Sequence, residues 1–178
     1  PVLIRTNSSG IKDMELPLLS NFNHFITLVN IGGEMVFIDP TAEFSGYDEF
    51  PYMDQDVEAF VITDSGGYFK KTPLMSADEN HTIVNMKIWL KEDASATAKR
   101  NVLYGKSDCP RQRSRFENKL KRKSIVEEYW SSLYPGTKVS DLEFWNIKNY
   151  DKNVEIEYSL DIPNFIREVE DRFYIPTR

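Results

Sequence analysis

The most constraining feature of the chain is FNHFITLVNIGGEMVFIDPT, residues 22–41, where two runs of strand-forming residues flank a double glycine. Phe22 to Ile31 reads as a strand, Gly32-Gly33 as a two-residue turn of the kind that needs positive φ, and Met35 to Asp39 as the returning strand, stopped by Pro40. Such a turn sets the register. Ile31 faces Glu34, Val29 faces Val36, and position 26 faces position 39. Because side chains alternate with period two, His24 shares a face with Ile26 and Leu28, and Asp39 falls on that same face one diagonal step from His24. Diagonal neighbours have Cα atoms roughly 7–8 Å apart, a gap that an imidazole and a carboxylate can bridge with one hydrogen bond. A carboxylate behind a histidine holds the ring tautomer and stabilises the imidazolium, which leaves the far nitrogen free to take a proton from a nucleophile. His24 and Asp39 are thus candidates for two members of a catalytic triad, and the same spacing also describes a purely structural pair.

Downstream, residues 40–56 are rich in proline, glycine and acids without periodicity and read as a long surface loop, followed by a short strand from Ala59 to Thr63. The Gly66-Gly67 pair, Thr72-Pro73 and the polar run Ser76 to His81 suggest a boundary, giving a first module over 1–70 and a second over 71–178. In the second module Val84, Met86, Ile88 and Leu90 alternate with polar neighbours as a half-buried strand does, and Val154, Ile156, Tyr158 and Leu160 do the same. Ala94 to Tyr104 and Val139 to Ile147 are weaker strand candidates. Between them a single amphipathic helix is expected from about Pro110 to Leu133, with Phe116, Leu120, Val126, Trp130 and Leu133 as its apolar stripe and Pro135-Gly136 ending it. The fold class that follows is α+β: a β-hairpin sheet, then a β-rich domain whose mainly antiparallel sheet carries one helix on one face.

Composition limits the chemistry. With 178 residues, 28 acidic and 22 basic side chains and a formal charge of −6, the chain has no general affinity for nucleic acid. One cysteine, Cys109, excludes an internal disulfide framework and any multi-thiolate zinc site, and two histidines, His24 and His81, leave little for a multi-histidine metal centre. No run of apolar residues is long enough to span a membrane. Charge is uneven: residues 1–80 carry 4 basic and 13 acidic side chains, whereas 111–123 carry 7 basic and one acidic. The basic run Arg111, Arg113, Arg115, Lys119, Lys121, Arg122 and Lys123 surrounds the apolar stripe and reads as a solvated helix face. The acidic loop with Asp48, Glu49, Asp54, Asp56 and Glu58 does not match a calcium-loop pattern, so no metal ligand is assigned, and no cofactor is implied. His81 reads as a surface residue, and Asn23 points to the face opposite His24.

The string Phe22 to Ile26, the Gly turn, and Phe37-Ile38-Asp39-Pro40-Thr41 resemble the histidine-to-aspartate segment of the bacterial transglutaminase-like superfamily. That family runs Cys, His, Asp along a papain-like scaffold, its cysteine opening a helix and the other two lying on adjacent antiparallel strands. Pro1 to Arg5 resembles the strand after the cysteine helix, and Leu16-Pro17 resembles the usual lead-in to the histidine. The resemblance covers residues 1–45 closely and the β-rich remainder loosely. It implies His24 as general base, Asp39 as its orienting acid, a protein or peptide substrate, and an extracytoplasmic setting.

The departure is the nucleophile, because no cysteine precedes His24. Cys109 follows it, beside Pro110 at an expected helix start, where Arg111 and Arg113 would favour a thiolate, yet its order does not fit the family. The chain opens at Pro1 without methionine, which suggests a piece of a longer polypeptide whose upstream portion completes the site. Two expectations result. One is a fragment of a thiol acyl-transfer enzyme that is inactive alone. The other is a non-catalytic module whose β-rich part binds or scaffolds a protein or glycan.

Overall fold

The computed structural model describes residues 1–10, 18–170 and 172–175; the expected lead-in Leu16-Pro17 lies outside the described residues. The described residues are α+β and mostly β, built from antiparallel sheets with few helices and no closed barrel among them. It divides into two compact units, one of residues 1–81 with 106–110, the other of 82–105 with 111–178.

The first unit holds a five-stranded sheet of order β3-β2-β1-β4-β5, made of β1 (Val2–Ile4), β2 (His24–Ile31), β3 (Glu34–Ile38), β4 (Glu58–Thr63) and β5 (Gly66–Lys71). The β2–β3 ladder pairs Ile31 with Glu34, Val29 with Val36 and Thr27 with Ile38. Gly32 and Gly33 have φ of 62° and 94°, values that a Cβ would oppose, and the Asn30 side-chain oxygen accepts the Gly33 N–H. The short central strand β1 sets Val2 opposite both Ile26 and Val61, and Ile4 opposite both His24 and Ala59. Val2, Ile4, Ile26, Ala59 and Val61 join Phe37 and Phe50 in one apolar cluster with Leu28 and Val57 against it. His24 therefore stands at the end of the core face. Gly66-Gly67 opens β5 rather than a linker. Gly67 is required by a close approach, since a Cβ there would stand 2.4 Å from the Phe60 ring.

In the second unit β6 (Ile83–Leu90), β7 (Ala96–Leu103), β8 (Lys138–Trp145) and β9 (Glu155–Ile162) form a four-stranded antiparallel sheet of order β6-β7-β9-β8. A small ribbon pairs β10 (Arg167–Val169) with β11 (Arg172–Tyr174). The short helix α1 (Ala77–Asn80) belongs to the first unit. The single helix expected over 110–133 is instead two: α2 (Cys109–Arg115) and α3 (Arg122–Leu133), with a 3₁₀ turn over Lys119–Lys121 between them. Asn118 causes the break. Its backbone is extended and its side chain accepts the Leu120 N–H, a local alternative to helix, while the Arg122 guanidinium takes up the freed Phe116 carbonyl. Leu120, placed in the apolar stripe by spacing, is consequently 94% exposed, whereas Val126 and Trp130 are buried. Trp130 donates its indole N–H to the Tyr158 hydroxyl, which also accepts from Arg100. The basic run is not uniformly solvated either. Arg113 is fully buried over the Tyr150 ring and donates to the carbonyls of Asn149 and Lys152.

β6 was expected half-buried, but Val84, Ile88, Trp89 and Leu90 are exposed. It is an edge strand, separated by β7 from the β9 residue that meets α3, and its apolar side has no cover among the described residues. No helix among the described residues is long and apolar enough to cross a membrane.

Candidate functional site

The site is assembled from two strands and one loop of the first unit. β2 begins at His24, and β3 ends one residue before Asp39. The register of the Gly32-Gly33 hairpin extends to place both on the core face, and the His24 ring Nε2 lies 3.1 Å from Asp39 Oδ2. The histidine side chain is 20% exposed and that of Asp39 5%. Asp39 is held from its other oxygen, where Oδ1 accepts both the Thr41 N–H at 2.9 Å and the Thr41 hydroxyl at 2.8 Å. Burial would raise its pKa, but these two bonds and the neighbouring imidazole outweigh it and hold the carboxyl below its ordinary value. An ionised Asp39 binding Nε2 assigns Nδ1 as the nitrogen open to proton transfer.

A third group completes the cluster. Asp54 has no exposed surface, and its Oδ2 is 3.8 Å from His24 Nε2. Among the described residues nothing donates a hydrogen bond to either of its carboxyl oxygens, and in its protonated form the group hydrogen-bonds Asp39. Burial is the main cause that pushes this carboxyl up to about 7; the His24 charge opposes the shift, and the Asp39 charge and a hydrogen bond to Asp39 add to it. The loop that carries Asp54 is anchored from below. The Thr72 hydroxyl donates to the Asp54 carbonyl at 2.6 Å and accepts the Val57 N–H, while Gln55 donates to the Phe50 carbonyl and accepts the Met75 N–H. The segment 40–56, read as solvated loop, is thus partly core: Glu49, Phe50, Asp54 and Gln55 are all buried.

Asp54 is the site residue that sequence reasoning missed. It sits in an acid-rich loop with no periodic signal, and its loop is held by Thr72 and Gln55, whose partners lie many residues away. The remaining candidates fall elsewhere. Cys109 is fully buried and belongs to the first unit rather than to the β-rich module. Asn23, on the opposite face, clips the β1 end by bonding Thr6 and Ser9. His81 is exposed and its Nδ1 lies 3.2 Å from the Ala77 carbonyl. A cavity of about 130 Å³ lies beside Asp39, lined by Phe37, Ala42, Ser45, Tyr47 and Phe50 among others. Comparison with protein-family models, with curated proteins and with solved structures gives no match.

Proposed function

We propose that the chain is part of a transglutaminase-like thiol acyl-transfer enzyme, to which it supplies His24 as general base and Asp39 as the acid that orients it. One observation carries this reading: an imidazole at the edge of a core face, bonded through Nε2 to an ionised, doubly anchored carboxylate. A cysteine from the upstream portion of the polypeptide would give its proton to Nδ1 and attack an amide carbonyl of a protein or peptide. The imidazolium would then protonate the leaving amine, and a second cycle with water or an acceptor amine would release the acyl group. Asp39 keeps the tautomer correct throughout. Hydrolysis and cross-linking share the first half-reaction, and an extracytoplasmic setting belongs to the same proposal.

The test is an N-terminally extended polypeptide treated with a thiol-directed alkylating probe near neutral pH. Rapid labelling of an upstream cysteine that falls sharply in His24→Ala supports the reading. Absence of an upstream cysteine, or labelling indifferent to His24, overturns it. A second reading, a binding or scaffolding module, is favoured by the exposed apolar side chains of the β6 edge, since unpaired strand edges and uncovered apolar surface are recognition features. It predicts that binding of a protein or glycan survives His24→Ala.

A further inference from the structure

We propose that His24, Asp39 and Asp54 together form a three-ligand site for a divalent transition-metal ion of the zinc class. One ligand atom from each lies within 4.8 Å of the other two. The ring Nε2 is 3.1 Å from Asp39 Oδ2 and 3.8 Å from Asp54 Oδ2. Nitrogen and oxygen ligands about 2.0–2.2 Å from a tetrahedral zinc stand roughly 3.3–3.5 Å from one another, between the two observed separations.

The independent observation is the state of Asp54. A carboxylate withdrawn completely from water, with no hydrogen-bond donor to either oxygen among the described residues, is costly to bury in its ionised form. Proteins keep such groups where a partner of opposite charge or a metal joins them. Among the described residues the only cationic group within ion-pair distance of it is the His24 imidazole, already bonded to Asp39. The proposed acyl-transfer chemistry makes no use of this carboxyl, whereas a metal ion would satisfy it directly.

The donor set selects the ion. One imidazole nitrogen and two carboxylate oxygens, with no thiolate, suit zinc or a neighbouring first-row ion, whereas calcium asks for six to eight oxygens. Three protein ligands leave a fourth position for water. The outer contacts are of the type that fixes metal ligands: Thr41 bonds the far oxygen of Asp39, and Thr72 pins the backbone of Asp54.

Occupancy has a consequence at His24. An imidazole coordinated through Nε2 carries its proton on Nδ1 and so cannot accept one there. The ion and the proposed base function therefore exclude each other, so metal would act as a reversible block. This last step rests on the acyl-transfer reading; the binding itself does not.

Binding is measured on the whole chain after EDTA treatment and removal of the chelator, by titrating zinc chloride against a chromophoric zinc indicator. One zinc per chain is expected, with affinity reduced by about tenfold or more in Asp54→Asn and in His24→Ala, and unchanged in His81→Ala. Circular dichroism establishes that each variant is folded. Should Asp54→Asn fail to fold, cobalt(II) binding to the unsubstituted chain decides. Visible d–d bands without a sulfur charge-transfer band support the site, and a sulfur band, implicating Cys109, refutes it. Absence of zinc binding, affinity unaffected by both substitutions, or loss in His81→Ala overturns the proposal. Thiol labelling of the extended polypeptide is read separately, so either reading can fail while the other stands.

Discussion

Each unit buries a charged side chain completely, and they treat it in opposite ways. Arg113 in the second unit lies over the Tyr150 ring and donates to two backbone carbonyls, at 3.0 Å to Lys152 and 3.4 Å to Asn149. Asp54 in the first unit is equally buried and, among the described residues, meets no hydrogen-bond donor. The arginine closes a loop. Its cost of burial is offset where it lies, by interactions that also satisfy carbonyls the Asn149–Lys152 segment would otherwise leave unpaired. The aspartate, by contrast, leaves its cost standing beside His24 and Asp39. A buried group that stabilises its surroundings and one that is kept at the expense of stability are told apart by how much of their hydrogen-bonding capacity is used.

The largest effect that would break this comparison is at Arg113. Arg113→Ala should destabilise the second unit by about 3–4 kcal/mol, through unpaired carbonyls and lost packing. All three tryptophans, Trp89, Trp130 and Trp145, belong to that unit, so urea unfolding followed by tryptophan fluorescence reads it selectively. A loss below about 1 kcal/mol would show the arginine to be no better satisfied than the aspartate.

The opposite sign is expected at Asp54. Its folded-state pKa is raised from 3.8 to about 7, so between these values the folded chain holds a proton that the unfolded chain has released. Stability of the first unit therefore falls as pH rises from about 4 to about 7, and this contribution levels off above. Asp54→Asn, which cannot ionise, should remove that decline and raise stability by on the order of 4 kcal/mol at pH 8 in EDTA, with little change near pH 4. Thermal melts at the two pH values, followed by a signal from the first unit such as histidine NMR, check it. A destabilised Asn variant at pH 8 would mean the carboxylate is satisfied after all.

Two smaller substitutions sharpen the picture. Thr72→Val should cost about 1–2 kcal/mol, because the hydroxyl serves the Asp54 carbonyl and the Val57 N–H at once, and should loosen zinc binding with it. Leu120→Ala should lie within about 0.5 kcal/mol of the parent, since its side chain is almost wholly in water. A value near 2 kcal/mol, the size expected of a buried aliphatic residue, would restore the uninterrupted helix that spacing suggests.

Strands β2, β3, β6 and β9 were readable because each carries its own period, and the turn because two consecutive glycines leave few alternatives, whereas β5, opening on Gly66-Gly67, read as a boundary. The helix over 110–133 misled because one residue, Asn118, offered the backbone a competing hydrogen bond inside an otherwise helical pattern. The β6 edge misled for another reason: alternation reports which side of a strand is apolar, and nothing local reports whether anything covers it.

By itself the sequence determined the hairpin, its register and the shared face of His24 and Asp39, since all three follow from local stereochemistry within twenty residues. Only the tertiary structure decided that Asp54 joins them. A carboxylate in an acid-rich loop has the same local surroundings whether it faces water or core, and its burial is set by Thr72, Gln55 and Phe50 closing around it through contacts that no local period encodes.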